Sequence, residues 1–338
     1  MGQHGSINPG DLAVGGSNAV LDSLNGELQL GGWVIGASTG DIGSVRMIGG
    51  TAYVTKTAQV AASSGSSGIL ILDGLRTSLY ASTLFVGNSG EADVTNSASL
   101  QMSNCTVWGI LDVNAGWASA GAPVAGATTG TLYIGSSGVV TGGGQINGGV
   151  FIGSGGKMIA DYGDGLFSIN GDYQQAAGST LSVELSGKMA GSQYGVLNVS
   201  GNVSLAGNLE LDFVNGFAPH AGDAFQIVEY GKSVVGGFGV VQITGLASGA
   251  QFSLQTNAAR AFVLTSLTNT VSTTLPQMFI NRSGSNLVVS WPPALTNYTL
   301  QITPTLSKPG WVNWNTASNS YQFRPTNNSQ FFRLLRSN

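Results

Sequence analysis

Three carboxylates lie close together in this sequence: Asp161 and Asp164 in Ala160-Asp-Tyr-Gly-Asp-Gly165, and Asp172 in Gly171-Asp-Tyr173. Carboxylates brought to one site can bind a hard cation such as calcium or divide general acid and base work between them. Either use wants a further base or cationic stabiliser, and Lys157 is the only sequence neighbour of that kind. Asp beside Gly is also the ordinary composition of a turn, and turns are the reading favoured for all three. His4 and His220 are isolated, with no spacing that joins them to Cys105 or to a carboxylate pair for zinc. Cys105, between Asn104 and Thr106, has no nearby base to lower its pKa and reads as a small buried hydrophobe. As the single cysteine it excludes an internal disulfide. Gly142-Gly-Gly144 and Gly148-Gly149 lack the Lys and the helix of a phosphate loop, so they read as corners. The expectation is therefore no catalytic residue, no metal site and no cofactor.

Aromatic chemistry concentrates near the C-terminus. Residues 272–338 hold Phe279, Trp291, Tyr298, Trp311, Trp314, Tyr321, Phe323, Phe331 and Phe332. Trp311 and Trp314 sit in a polar stretch and are the candidates for stacking on sugar rings. The remainder are expected to fill a small core, which needs large side chains when a domain is short. Charge divides near residue 230. The first 229 residues carry all 16 acidic groups and five basic ones, or −11, and the rest carry seven basic groups and no acid, or +7, giving the net −4. A negative body with a positive end favours head-to-tail encounter or docking on an anionic surface. Arg282, Lys308, Arg324, Arg333 and Arg336 are the candidate contacts for such docking. They are too dispersed for a nucleic-acid footprint.

The elements that would position these residues are strands. Gly is 52 of 338 residues and only 8% of the chain is charged, yet 42% is hydrophobic. Short runs such as Gly68-Ile-Leu-Ile-Leu72 and Gly149-Val-Phe-Ile152 are rich in strand formers and punctuated by Gly, Asn and Ser. No 3.6-residue period marks an amphipathic helix. Turn units recur in Val86-Gly-Asn-Ser-Gly90, Ile134-Gly-Ser-Ser-Gly138 and Ile152-Gly-Ser-Gly-Gly156, and Gly50–Val60 is echoed by Gly90–Leu100 forty positions on. One such unit cannot bury its own apolar face, so recurrence predicts coils stacked on one another. At about 20 residues per coil and ~4.8 Å per rung, on the order of eleven coils would span ~50 Å.

Thr83-Leu-Phe-Val-Gly-Asn-Ser-Gly90 and Thr131-Leu-Tyr-Ile-Gly-Ser-Ser-Gly138 resemble the strand-turn repeat of autotransporter passengers and PEP-CTERM-associated surface proteins. Ile169–Leu185, Tyr194–Leu211 and Phe217–Val228 are similar to later passenger segments, so the resemblance covers roughly residues 30–245. It implies a right-handed parallel β-helix, or β-solenoid, displayed outside a bacterial cell. Neither a translocator barrel nor a Pro-Glu-Pro sorting tail is read in the chain, which leaves export and anchoring open. No signal peptide is read in the first thirty residues, and no apolar run is long enough for a transmembrane helix. Alternation in Leu287, Val289 and Trp291, and in Tyr298, Leu300 and Ile302, loosely resembles a small β-sandwich of the fibronectin type III or immunoglobulin kind.

The expected organisation is an N-terminal arm or cap over 1–27, a solenoid over 28–264, a Thr/Ser-rich linker over 265–275 and a sandwich over 276–338. The expected function is that of a non-enzymatic extracellular structural or adhesive protein, self-associating head to tail or binding a surface or matrix polysaccharide. Two alternatives stay open: a carbohydrate-binding or polysaccharide-cleaving β-helix, and a fibre domain of a phage or virus.

Overall fold

The computed structural model describes residues 12–24, 26–114, 116–120, 130–161, 166–274, 276–292, 298–306, 310–314, 319–325 and 329–336. Every regular element among them is a strand. The strands form because inward and outward positions alternate at the two-residue period of extended backbone. In Ile42–Val60, Val45 and Met47 are buried while Ser44 and Arg46, which alternate with them, are not.

Most strands join one large sheet through parallel pairing, arranged as three ladders that the chain visits in rotation. The first ladder begins with Leu12–Val14, Trp33–Ile35 and residues 58–60, and ends at Val203–Leu205 and Val234–Gly236. The second runs from Ser17–Leu24 through Gly90–Thr95 and Thr180–Leu185 to Val241–Thr244. The third runs from Glu27–Leu30 through Trp117–Ala120 to residues 228–230. This long parallel sheet fits a β-helix-like or solenoid-like fold. Nine passes through all three ladders occur, from residues 17–35 to residues 208–236. The step between equivalent residues is 25 from Ile42 to Ser67, but 18 from Val139 to Lys157 and 32 from Leu209 to Val241. The coils are thus fewer and more variable than a uniform 20-residue repeat predicts. Strand pairing also begins at Leu12, inside the stretch expected to be an arm.

Rung-to-rung register stacks like on like. One inward column of the first ladder reads Trp33, Ala58, Leu84, Cys105, Leu132, Val150, Tyr173 and Val203, all buried. Each side chain buries its apolar surface against those above and below, so no single coil is stable alone. The turns at the corners explain the glycines. Residues 87–90, 135–138 and 153–156 stack at the corner between the first and second ladders, each closed by an N–H to C=O hydrogen bond of 2.8–3.0 Å. At Gly138 an added Cβ would fall on the Val107 carbonyl of the coil below, so close approach requires glycine there.

The third ladder ends differently. Residues 224–229 pair antiparallel with Ala261–Ser266, which in turn pairs antiparallel with Phe252–Thr256. Beneath this hairpin the core becomes aromatic: Phe213 lies 5.4 Å from Phe252, 6.1 Å from Phe217 and 6.5 Å from Phe225, centroid to centroid. The Thr/Ser run expected as a linker is hydrogen-bonded to this end. Ala247 N–H donates to Val271, Thr273 N–H to Gly245, and Gly216 N–H to the Thr274 hydroxyl.

A second hydrophobic cluster gathers Val289, Trp291, Leu300 and Ile302. Two three-stranded antiparallel sheets contribute to it. One contains Phe279–Ser283, Asn286–Ser290 and Ser320–Phe323, and the other Tyr298–Thr303, Val312–Trp314 and Phe331–Arg336. No helix among the described residues is long and apolar enough to cross a membrane.

Candidate binding surface

Two of the three carboxylates that drew attention in the sequence, Asp161 and Asp172, are hydrogen-bonded to the scaffold. Asp161 accepts a 2.6 Å hydrogen bond from the Thr141 hydroxyl. Asp172 accepts from the backbone N–H and the side-chain amide of Asn202, at 2.7 and 3.1 Å. The backbone donor above all holds its pKa below the ordinary value, with help from the Asn202 side chain and Lys232 against some burial. Asp164 lies outside the described residues, as do His4 and Lys308. No group of three or more His, Cys, Asp or Glu with metal-binding proximity occurs among the described residues. Cys105 is buried in its apolar column, and burial pushes its thiol up to about 12, which leaves it unreactive at neutral pH. His220 and Asp223 close a surface turn, in which the His220 N–H donates to the Asp223 carboxylate at 2.9 Å.

In the C-terminal sheets, Arg333 lies 4.3 Å over the Trp311 ring and donates to the Gln301 side chain at 2.7 Å. That guanidinium covers one face of Trp311, a cation–π contact that competes with any sugar stacked there. Trp314 stays 43% exposed, tilted against Tyr321 at 4.5 Å. Arg282 donates to the Gly284 carbonyl and is exposed, and Arg324 is exposed. Arg336 pairs through its backbone with Tyr298.

Two surface features emerge only from the fold. The first is a line of acids on the outward side of the second ladder. Asp93 sits directly across from Asp112 on the next rung, and Glu91 projects two residues before it. Burial, then the charges of Glu91 and Asp112, raise the Asp93 carboxyl from 3.8 to about 6. Its native form therefore holds a proton more tightly than the unfolded chain does. The resulting stability is complete below about pH 4, is lost as pH rises through about 6, and stays lost above that. Asp93→Asn should remove this slope and raise stability at pH 7.5 by about 1 kcal/mol, most of the nominal shift being screened at a half-exposed site. Urea unfolding of both proteins from pH 4 to 8 checks it, and an unchanged pH slope in the variant would refute the assignment.

The second feature is a groove of about 350 Å³ at the corner between the first and second ladders. Here the stacked turns are interrupted. Residues 87–90 and 135–138 are four-residue turns, but the coil between them rounds the corner with Trp108 and Gly109 alone. The shortened corner leaves a notch, bridged on one side where the Ser137 hydroxyl donates to the Trp108 carbonyl at 2.7 Å and lies 3.2 Å from the Asn88 side-chain oxygen. Trp108 lines the notch with Phe85, Ser63, Ser64, Asn88 and Ser89. Behind it, the indole lies on Gly135 so closely that an added Cβ would come within 2.6 Å of the ring. A further groove is lined by Tyr53 and Tyr80, whose rings stack at 5.0 Å and 14°.

No family model matches the chain, and no curated protein sequence is similar to it.

Proposed function

We propose that this chain is a non-enzymatic extracellular structural or adhesive protein, a right-handed β-solenoid that ends in a small β-sandwich of the immunoglobulin or fibronectin type III kind. The observation that carries the reading is the continuity of the three parallel ladders over a shared apolar column. Such a body turns sequence length into reach and repeated surface, which is mechanical work. The autotransporter-passenger and PEP-CTERM resemblance supports a place outside the cell.

Self-association is part of this proposal. Val234–Gly236 and Val241–Thr244, the last rungs of the first and second ladders, pair with no further strand among the described residues. Val235 and Val241 on them are 60% and 42% exposed. An open rung is a template for another strand, and the opposite charges of the two ends of the chain favour head-to-tail approach. Light scattering should show mass rising with protein concentration and falling on addition of about 0.5 M salt, where charge attraction is screened. Negative-stain images should show rods joined end to end. One monomeric mass across concentration and salt would dismiss the assembly, and compact globular particles would dismiss the solenoid.

A further inference from the structure

We propose that the Trp108 notch is a binding site for a neutral saccharide, which goes beyond the structural role above. Three properties of the notch select this ligand class. Its floor is aromatic, and an indole face packs well on the C–H face of a pyranose ring. Its rim is made of hydroxyl and amide groups, from Ser63, Ser64, Asn88 and Ser89. Among the described residues, neither the Asn88 amide nitrogen nor the Ser64 and Ser89 hydroxyls donate to a protein partner, so these groups are available to sugar hydroxyls. No charged side chain lines the notch, which disfavours uronates, phosphates and peptides rich in charge. At about 350 Å³ it falls at the small end of ligand pockets.

The other aromatic sites suit a sugar less. Tyr53 and Tyr80 are stacked on each other, as are Tyr133 and Phe151 at 5.6 Å and 11°, so in each pair every ring has one face covered by its partner. The lining of the Tyr53–Tyr80 groove is also more apolar than that of the Trp108 notch. The Trp311 face is under Arg333. Trp108 is backed by Gly135 and by the tilted Tyr133 ring at 6.4 Å on one coil, and opens toward turns of the coils before it. The backing fixes the ring, so little side-chain entropy is lost on binding. A site on rigid stacked coils is preorganised in the way that loop sites are not.

The test is calorimetric titration of the full chain with cellohexaose, laminarihexaose, maltohexaose and chitohexaose, and with trigalacturonate as the charged comparison. At least one neutral oligosaccharide is expected to bind with a Kd below about 5 mM. Trp108→Ala should weaken it at least about tenfold, and Trp108→Phe by less. Trp314→Ala should leave it unchanged. If Trp108→Ala perturbs folding, Asn88→Ala and Ser89→Ala on the exposed turn carry the readout, with a several-fold loss expected from each. The proposal is overturned if no neutral oligosaccharide binds, if trigalacturonate binds better, or if binding survives substitution at both Trp108 and Asn88. None of those results bears on the solenoid or its assembly, so the two readings fail separately.

Discussion

Replacing Gly138 with alanine is expected to cost about 2–4 kcal/mol, while the same change at Gly237 should alter stability by no more than about 0.5 kcal/mol. Both glycines lie at the corner between the first and second ladders, and neither has a positive φ. Conformational freedom therefore cannot separate them. What differs is the coil beneath. A Cβ at Gly138 would meet the carbonyl of Val107, with the Val107 carbonyl carbon at 2.9 Å and the Ile134 Cγ2 at 3.0 Å. The carbonyl belongs to a ladder strand that is itself hydrogen-bonded to the next, so it can move only by opening the rung. At Gly237 nothing lies within 4 Å of the added atom. Thermal unfolding of the two variants beside the parent measures the contrast. Equal effects at the two positions would mean that these corners are not in close contact from coil to coil.

The same corner marks how far the sequence could be read. Val86, Ile134 and Ile152, each followed by a glycine-bounded turn, fall in one inward column of the first ladder, with Val107 between the first two. That motif was legible because an inward aliphatic and a glycine at fixed offset are both demanded by the same stacking contact. The forty-residue echo of Gly50–Val60 in Gly90–Leu100 was misleading. The earlier stretch runs through the third and then the first ladder, while the later one runs through the second and then the third. Similar composition there reflects a shared need for alternation, not equivalent positions. The uniform coil length failed for a related reason, since corner length is free to vary wherever the rungs still register.

The surface features were not legible at all. Asp93 and Asp112 are nineteen positions apart, and only the register of one rung on the next sets them face to face. Trp108 reads as one more outward strand residue until the turns before and after it are known to be longer than its own. Tyr173 and Gln175 interrupt the rule that inward positions are apolar. Both are buried in the first ladder, and the Gln175 amide reaches the Asn208 carbonyl at 2.8 Å. Of the residues expected at sites, Trp311 and Arg333 were brought together, but in contact with each other, which a list of separate aromatic and basic candidates could not foresee.

Phe213→Ala should lower stability by about 3–5 kcal/mol, the usual cost of emptying a buried aromatic site. Where that loss falls tests the architecture as well as the residue. Phe213 is completely buried at the end of its strand, in register with Leu185 below and in ring contact with Phe217, Phe225 and Phe252. Those partners hold the antiparallel hairpin onto the last coils, so the ring joins the parallel column to its cover. In a stack where each rung touches only its neighbours, damage at one end spreads weakly to the other. Amide exchange should therefore accelerate first in Asn208–Phe213, Ala224–Tyr230 and Ala261–Ser266, with Ile42–Val60 and Ser67–Val86 still protected. Phe213→Leu, which keeps most of the volume, should lose about 1–1.5 kcal/mol and show the same gradient in milder form. Even loss of protection along all the ladders would mean that the chain opens as one cooperative unit, and the description of a column built coil by coil would have to be given up.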